Sequence, residues 1–309
     1  MINPGAIVIS DKESGSNWLG TVKSLKKEGV HIIRLAPKSW CSSEHCTSVI
    51  SPYITQEHEF LEFLIKVGKN RICKDRVLFP STDQNLILIS RNKEILEDYF
   101  EPVAADWEVV DKIVDKSKTY YFAKKIGIPV PETFTPTDIN EVKQISKEIN
   151  YPCLIKPAYS HIFSWKLGTK LLKINSEKEL AEKYKALYHL GHKLIIQEEI
   201  PGRDDQIYEF GAVFNKNSEP LAIFLGRKLR QYPPQFGVGS FTESVWDSKV
   251  VDLGVRLLRE IRFYGIAAVE FKKDYRTGEF KVLDINGRSW SWNYLATFCG
   301  LNLSYIAYK

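Results

Sequence analysis

The 309-residue sequence predicts an α/β domain joined to an α+β half, and three observations support this fold class. Apolar, strand-like runs alternate with helical patterns through roughly the first 110 residues, which is typical of an open parallel sheet. The last third contains strands in succession, including a predicted hairpin around residues 274–278. Hydrophobic residues make up 44% of the chain and charged residues 26%, so disorder is a poor interpretation of any long part.

The N-terminal domain, residues 1–110, is predicted from the order of its elements. Strands are expected at residues 6–9, 30–35 and 76–79, and helices at a segment that ends near Gly29, at 57–67 and at 85–90. Ligands of such sheets bind beyond the carboxyl ends of the strands, which here are followed by residues 14–20, 38–43 and 81–83. Neither a dinucleotide-binding fingerprint nor a P-loop is present.

The remainder of the chain carries the α+β pattern. Helices are expected at residues 115–126, 139–148, 176–190 and 250–262. Strands are expected at residues 153–156, 170–174, 194–198, 207–214, 221–229, 266–271 and 280–285. Residues 128–133 contain two prolines and predict a stiff extended connector between the first two of these helices.

Charge and cysteine content exclude several classes of protein. The net charge of +5 comes without a dense Lys/Arg block, so nucleic acid is not an expected partner. No run of 18 apolar residues indicates a membrane span, and the N-terminus resembles a strand more than a signal peptide, so the cytoplasm is the expected location. The five cysteines form no C-x-x-C pair, and Cys41, His45 and Cys46 are better explained as structural residues than as metal ligands.

Three oxygen-bearing side chains on two neighbouring predicted strands are the most informative feature. Alternation along a strand places Asp284 and Asn286 on one face, and Glu270 faces them if the hairpin pairs as predicted. Carboxylates among apolar residues are costly unless neutralised, and Mg²⁺ neutralises them simply, since it takes oxygen ligands and shares its shell with phosphates. Polar residues of a solvent-facing strand are an equally weighted explanation of this pattern taken alone.

Basic side chains accompany this acidic cluster. Arg288 is aimed at the same face and suits either a salt bridge or a phosphate. Lys116 is in the first turn of a predicted helix, and Lys156 closes an apolar strand just before Pro157. Most lysines are solvated surface charges, but the positions of these two make them candidates to hold phosphates opposite the metal.

Six segments in consistent order resemble the ATP-grasp superfamily. They are Asp115–Lys116, Gly127–Thr133, Tyr151–Pro157, Ile196–Gly202, Val269–Phe271 and Leu283–Arg288. The match spans about residues 111–309, and the first 110 residues suit the usual N-terminal domain of that superfamily. Within it, the chain is most similar to the carboxylate–amine ligase branch, which includes D-aspartate ligase-like enzymes and resembles carbamoyl-phosphate synthase.

The resemblance implies a two-lobed ATP-grasp module behind the N-terminal domain. The small lobe with its linker helices would be residues 111–192, and the C-terminal lobe with the metal site would be residues 193–309. The implied site residues are Lys116 and Lys156 on the ATP phosphates, Glu198, Glu199 and Ile200 in the strand whose backbone reads adenine, and Asp205 on the ribose. Glu270, Asp284 and Asn286 would bind one or two Mg²⁺ ions, with Mn²⁺ as an alternative, and Arg288 would steady the phosphate and the acyl intermediate.

The sequence also departs from the superfamily pattern. The loop after Lys156 is usually glycine-rich, whereas residues 158–169 contain only Gly168, so Lys166 or Lys170 is expected to supply phosphate contacts there. Asp284 stands where many members carry glutamate. Relatives of this branch often continue beyond the equivalent of Arg288.

Two further groups of residues have alternative interpretations. Arg230 precedes a loop with two glycines, and it either holds the transferred phosphoryl or acyl group or decorates a basic sheet edge. Trp290, Trp292 and Tyr294 are expected on a helix, where core packing is favoured over a wall of the acceptor pocket.

The predicted activity is an ATP- and Mg²⁺-dependent ligase that joins a small carboxylic acid to an amine, or to a thiol, through an acyl phosphate and releases ADP and phosphate. Lysine, arginine and metal ligands without a nucleophilic Ser or Cys suit such a transfer. The alternatives are a bicarbonate-using carboxylase of the biotin carboxylase type and a non-catalytic ATP-binding protein. The sequence identifies neither substrate, and the resemblance alone indicates a homodimer.

Overall fold

The computed structural model describes residues 5–40, 43–70, 72–159 and 170–309, which form three β-sheets with helices around them. The predicted combination of a parallel α/β domain with an α+β half is confirmed. Most of the expected lid, including Gly168 and Lys166, and also Cys41, lie outside the described residues. The described helices are all too short or too polar to cross a bilayer.

The first sheet is parallel throughout and has the order β3–β2–β1–β4–β5. Its strands are β1 (Ala6–Ile9), β2 (Ile32–Ala36), β3 (Thr47–Ile50), β4 (Arg76–Phe79) and β5 (Phe100–Pro102). The helices of this domain are α1 (Asn17–Lys27), α2 (Glu57–Gly68), α3 (Asp83–Arg91) and α4 (Lys93–Leu96). The central strands β1 and β4 are buried along their whole length, which explains why their β-branched and apolar runs were predictable.

Two linker helices, α5 (Trp107–Val114) and α6 (Lys116–Lys125), lead into a four-stranded antiparallel sheet. That sheet has the order β6–β9–β7–β8, with strands β6 (Thr133–Phe134), β7 (Cys153–Pro157), β8 (Leu172–Ile174) and β9 (Leu194–Glu198). Helices α7 (Ile139–Glu148) and α8 (Glu177–Tyr188) cover one face. β9 pairs with β6 and β7, so residues 194–198 belong to the same sheet as these strands.

The third sheet is a five-stranded antiparallel sheet of order β12–β11–β10–β13–β14. Its strands are β10 (Ile207–Phe214), β11 (Pro220–Tyr232), β12 (Val238–Ser244), β13 (Gly265–Lys273) and β14 (Phe280–Asn286), and α9 (Ser248–Glu260) packs against it. The predicted hairpin between β13 and β14 is confirmed. Two short helices, α10 (Tyr294–Phe298) and α11 (Leu303–Tyr308), follow.

The third sheet and the N-terminal domain share their hydrophobic cores. One cluster joins Ile7 and Leu86 of the N-terminal domain to Phe210 and Phe263, and a second joins Val8 to Trp290 and to helices α10 and α11. Trp290 and Trp292 precede helix α10 and do not lie on it, which corrects the predicted helical placement; Tyr294 begins that helix.

Two glycines make room for the tryptophan rings on the third sheet. A Cβ atom on Gly211 would lie 2.3 Å from the ring of Trp290, and one on Gly226 would lie 2.4 Å from the ring of Trp292. No side chain is compatible with such a distance, so the rings lie directly on the backbone of β10 and β11. The two rings meet edge to face with their centroids 6.1 Å apart.

Candidate active site

A cavity of about 790 Å³ lies where the three sheets meet. The N-terminal domain contributes residues 13–17 and 82–84, which follow the carboxyl ends of β1 and β4, where ligands of parallel sheets bind. The small lobe contributes β7 and the end of β9, and the third sheet contributes one face of strands β10, β11, β13 and β14. A cavity of this size accommodates a nucleotide together with a small substrate.

The cavity collects nine of the eleven predicted site residues. They are Lys116, Lys156, Glu198, Glu199, Ile200, Glu270, Asp284, Asn286 and Arg288; the two that do not line it are Asp205 and Arg230.

A row of three carboxylates crosses the floor of the cavity. Glu209 on β10 stands opposite Glu270 on β13, and Glu270 stands opposite Asp284 on β14. Residues opposite one another in an antiparallel sheet point to the same face, so the three carboxylates are neighbours. Asn286, two residues after Asp284, shares that face by strand alternation. The predicted pairing of Glu270 with Asp284 is confirmed.

Two buried lysines are the counter-ions of this row. Lys116, at the start of α6, donates to Asp284, and its side chain is only 11% exposed. Lys228 on β11 donates to Glu270 and lies 3.8 Å from Glu209. The side chains of Lys228 and Glu209 are 6% and 5% exposed, so this pair is almost fully withdrawn from water.

The pKa values of these groups follow from burial and from their partners. Burial opposes the charge on Lys116 and Lys228, but the facing carboxylates outweigh it and raise the pKa of both lysines. Burial also opposes ionisation of Asp284, yet Lys116 outweighs it and lowers the pKa of that carboxyl. Glu209 differs, because burial and the charge of Glu270 raise its pKa to about 7 in spite of Lys228.

Lys156 closes β7 and projects into the cavity beside Tyr120 of α6. Its Nζ atom donates to the Tyr120 hydroxyl over 2.7 Å and lies 5.0 Å from the centre of that ring. The Tyr120 hydroxyl in turn donates to the carbonyl oxygen of Leu283 over 2.6 Å. Burial, together with the nearby charge of Lys116, lowers the pKa of Lys156 to about 7. An anion that binds beside Lys156 would therefore stabilise the charged form of its amino group.

Arg288 connects the metal motif to the N-terminal domain. Its guanidinium donates to Asp83 at the start of α3 over 2.8 Å and to the side-chain oxygen of Asn286 over 3.0 Å. The guanidinium also donates to the carbonyl oxygen of Ser289 over 3.0 Å. Arg288 therefore forms a salt bridge, with Asp83 instead of with the carboxylate row, and it also lines the cavity, while its contact with a phosphate stays a prediction.

The end of β9 is fixed by a cluster of charged side chains that we call the hinge cluster: Glu198, Asp274, Arg276 and Lys281. Glu198 accepts from Arg276, from Lys281 over 3.1 Å and from the backbone N–H of Glu132 over 3.1 Å. Asp274, with a fully buried side chain, accepts from Arg276 over 2.6 Å and lies 3.2 Å from Lys281. The Glu198 carboxylate is thus committed to protein partners, and the predicted contact of this segment with adenine would fall to backbone groups, which stays a prediction.

The two residues that follow Glu198 have separate environments. Glu199 pairs with Lys173 of β8 over 2.9 Å, and its side chain is 15% exposed. Ile200 is 4% exposed and contributes an apolar surface to the cavity. An apolar side chain beside an extended backbone is suited to a flat heterocycle.

The structure does not bring Arg230 or Asp205 to the cavity, and both assignments change accordingly. The register of β11 against β12 shifts between Lys228 and Arg230, so the bulge turns Arg230 to solvent although alternation alone would keep both residues on one face. Asp205 is in a short 3-10 turn and faces Arg203 at 3.5 Å. Its neighbour Asp204 instead accepts from the backbone N–H of Gln231 over 3.0 Å.

Three residues of the site were missed by the sequence analysis. Glu209 is the one acidic residue of the apolar strand β10, a signal that was present but not used. Lys228 has no signal of its own in the sequence, because its burial depends on the pairing of β11 with β10. Tyr120 sits one helical turn after Lys116, so its approach to the cavity follows from i, i+4 spacing.

The residues present fit a magnesium ion. Glu270, Asp284 and Asn286 offer three hard oxygen donors, the ligand type that Mg²⁺ prefers. No three His, Cys, Asp or Glu side chains converge as a preformed metal-binding group anywhere in the described part of the chain. The remaining ligands would therefore come from phosphate oxygens and water, which is how Mg²⁺ is usually held beside nucleotides.

Comparison with known proteins gives relatives in sequence and in fold. No protein-family model matches the chain. D-aspartate ligase of Enterococcus faecium is 24% identical over 268 residues, which cover 82% of this chain and 64% of that protein. The N-terminal section of the carbamoyl phosphate synthase large chain of Methanopyrus kandleri is 22% identical over 309 residues, which cover 93% of this chain and 52% of that protein.

Among solved structures, the biotin carboxylase domain of Hydrogenobacter thermophilus 2-oxoglutarate carboxylase, a dimer with MgADP and bicarbonate, superposes with a TM-score of 0.72. It is 16% identical, and the match covers 97% of this chain and 67% of that one. The chain has the ATP-grasp fold. The ATP-grasp fold expected from the six sequence segments is thereby confirmed. The chain spans less than two thirds of the length of both curated relatives.

Proposed function

We propose that the chain is an ATP- and Mg²⁺-dependent ligase that joins a carboxylic acid to an amine through an acyl phosphate and releases ADP and phosphate. The observation that carries this proposal is the convergence of Lys116 and Lys156 with the paired Glu270 and Asp284 on one cavity. Sequence relatedness to D-aspartate ligase supports the carboxylate–amine branch over the other activities found on this fold.

Each residue has a role that its surroundings support. Lys156 and Lys116 would contact the phosphates of ATP, and the backbone at Glu198 to Ile200 would contact adenine, with Ile200 against the base. Glu270, Asp284 and Asn286 would hold Mg²⁺, which supplies charge neutralisation to the transferred phosphoryl group. Arg288 would orient the acyl phosphate, since Asp83 and Asn286 fix its guanidinium at the cavity wall.

The proposed reaction has two steps. A carboxylate oxygen attacks the γ-phosphorus, the bond from that phosphorus to the β–γ bridging oxygen breaks, and ADP leaves. The neutral amine nitrogen then attacks the acyl carbon, the carbon–oxygen bond to the phosphate breaks, and the leaving phosphate takes up the proton that the nitrogen loses. Both steps depend on positioning and charge stabilisation more than on a protein nucleophile.

The N-terminal domain is the proposed binding region for the substrates other than ATP. Glu13 lines this part of the cavity, where burial and the charges of Asp11 and Asp83 raise its pKa. Together Glu13, Asp11 and Asp83 form an acidic region that attracts a protonated amine, which must lose a proton before it attacks, while Arg288 attracts the carboxylate. A small acid and a small amine, a cytoplasmic location and a homodimer are part of this proposal.

Release of ADP tests the proposed reaction. ADP formation is measured with ATP, Mg²⁺ and panels of small carboxylic acids, each with and without amines, and Glu270→Gln is the control. Hydroxylamine as the nucleophile should trap the acyl phosphate as a hydroxamate. ADP release that requires bicarbonate and no amine would favour a carboxylase, and ATP binding without turnover on any acid would favour a non-catalytic protein.

A further inference from the structure

The counter-ions of the carboxylate row raise a question about how a metal ion reaches it. Glu270 already has the Lys228 ammonium group, and Asp284 already has the Lys116 ammonium group. Both lysines are nearly buried, so these are strong partners rather than solvent-screened ones. A divalent cation must therefore compete with a lysine for each carboxylate.

Charge balance decides how this competition ends. Each of the two proposed metal-binding carboxylates has its own lysine, since Glu270 pairs with Lys228 and Asp284 pairs with Lys116, so neither carries an unpaired negative charge. A bare divalent cation would leave this buried cluster with uncompensated positive charge, which is costly in a low-dielectric site. A cation bound to a polyphosphate brings net negative charge, and the phosphates offer the displaced ammonium groups new partners.

Glu209 is a second carboxylate with which the Lys228 ammonium group can pair. Glu209 has no part in the proposed metal shell, yet it is 5% exposed and lies 3.8 Å from the Lys228 Nζ atom. When Glu270 turns to a metal, Lys228 keeps a buried carboxylate partner and stays at the cavity floor. Glu209 is thus a positioning residue for the lysine.

We propose that Lys228 and Lys116 guard the metal-binding carboxylates, so that a divalent cation binds tightly only together with a nucleotide, while Glu209 retains Lys228 beside the transferred phosphoryl group. This inference rests on the magnesium–nucleotide site of the proposed function but not on the ligase reaction. It assigns roles to two buried residues that the sequence analysis did not include in the site.

Mn²⁺ binding without nucleotide tests the guarding role. Free Mn²⁺ is measured by electron paramagnetic resonance for the wild-type chain, Lys228→Met, Lys116→Met and Lys272→Met. Lys272 is the matched control, since it lines the same cavity but donates to the carbonyl oxygen of Gly202 over 3.0 Å instead of to a metal carboxylate. Lys228→Met should bind Mn²⁺ about tenfold more tightly than the wild type, and Lys272→Met should not.

The sign of the effect should reverse when a nucleotide is present. Calorimetric titration with the Mn²⁺ complex of a non-hydrolysable ATP analogue should show weaker binding to Lys228→Met than to the wild type, because an ammonium partner of the phosphates is lost. Glu209→Gln, which leaves Lys228 with Glu270 alone, should weaken Mn²⁺ binding without nucleotide. This second variant decides the matter if Lys228→Met fails to fold, as judged by near-ultraviolet circular dichroism.

Several outcomes would overturn the proposal. Equal Mn²⁺ affinities of Lys228→Met and Lys272→Met would show that any removed charge has the same effect. Wild-type protein that binds Mn²⁺ as tightly alone as with the nucleotide would show that the lysines guard nothing. Absence of Mn²⁺ binding in every variant, with and without nucleotide, would overturn the proposed magnesium–nucleotide site as well. If Mn²⁺ and nucleotide bind as expected but no ADP forms, only the ligase reaction is contradicted.

Discussion

Two charged clusters of the molecule have similar composition but different surroundings. The hinge cluster joins two carboxylates to Arg276 and Lys281. The second cluster, which we call the cavity cluster, joins three carboxylates to three lysines: Glu209, Glu270, Asp284, Lys116, Lys156 and Lys228. In the hinge cluster Asp274 and Glu198 each have two basic partners, and Glu198 also accepts a backbone N–H. In the cavity cluster Asp284 and Glu270 each have one lysine partner and open to the cavity.

The difference separates charged contacts that fix two elements in place from charged contacts that a bound ligand can replace. Carboxylates whose lone pairs are all used by the protein hold two elements in one position, here the end of β9 and the hairpin of β13 and β14. A carboxylate that pairs with one lysine can exchange this lysine for a metal ion, but the displaced ammonium group then needs another anion as its partner. We therefore expect substitutions in the cavity cluster to affect turnover as well as nucleotide binding, and those in the hinge cluster to affect nucleotide binding alone.

The largest effect is expected for Asp284→Asn. The substitution removes a proposed magnesium ligand and the partner of Lys116 together, and we expect turnover to fall by about 100- to 1,000-fold. ADP release under saturating ATP measures this change. The exposed Asp252 on α9 is the matched control, because Asp252→Asn also removes one negative charge. Equal effects of the two substitutions would remove Asp284 from the site.

The next effect is a dependence of nucleotide affinity on pH. Lys156 has its pKa lowered to about 7, and bound phosphate raises it, so nucleotide binding above pH 7 takes up a proton. Affinity should therefore fall as pH rises above 7, by at most about tenfold per pH unit, and be nearly constant below it. Calorimetry in buffers of different ionisation enthalpy measures the uptake, and Lys156→Met should abolish it. Uptake that persists in this variant would assign the proton to another group.

A smaller effect is expected for Arg276→Ala in the hinge cluster. Since Arg276 is 42% exposed, water weakens its pairs, and we expect about a fivefold loss of ATP affinity. The maximal rate should change by less than about twofold, because the lost interaction affects ground state and transition state alike. Steady-state kinetics separates the two parameters. A fall in maximal rate with unchanged KM for ATP would contradict the proposed division between the clusters.

The smallest effect is expected for Arg230→Ala. Arg230 points to solvent beyond the bulge in β11 and does not line the cavity, so turnover should stay within about twofold of the wild type. Lys228→Ala on the same strand is the comparison and should lower turnover strongly. A large loss in Arg230→Ala would show that the end of β11 carries this arginine into the site during the reaction.

Much of the fold follows from local patterns in the sequence. Helix α7 and strands β4, β9 and β10 were predicted to the residue, because apolar side chains follow helical or strand spacing through them. Strands β3 and β5 were missed. The first is exposed along an edge of its sheet and the second is three residues long and ends in proline, so neither has a strong apolar signal.

The site was predictable where one hairpin decides the geometry, and not where distant strands meet. Glu270 and Asp284 belong to one hairpin, so their pairing follows from alternation and a turn. Lys228 reaches Glu270 only through the strand order β11–β10–β13, which the sequence does not reveal. The choice between Lys228 and Arg230 depends on a bulge, and a one-residue shift of register reverses which face a side chain takes.

The glycines beneath Trp290 and Trp292 determine how far the two rings extend into the cavity. Gly226 lies under the Trp292 ring, and that ring lines the cavity. A methyl group at position 226 would push the Trp292 ring into the cavity and narrow it, whereas a smaller ring at position 292 would widen it. Under the proposed function, the residue at position 226 would therefore set which substrates fit, with the charged side chains on the neighbouring strands left unchanged.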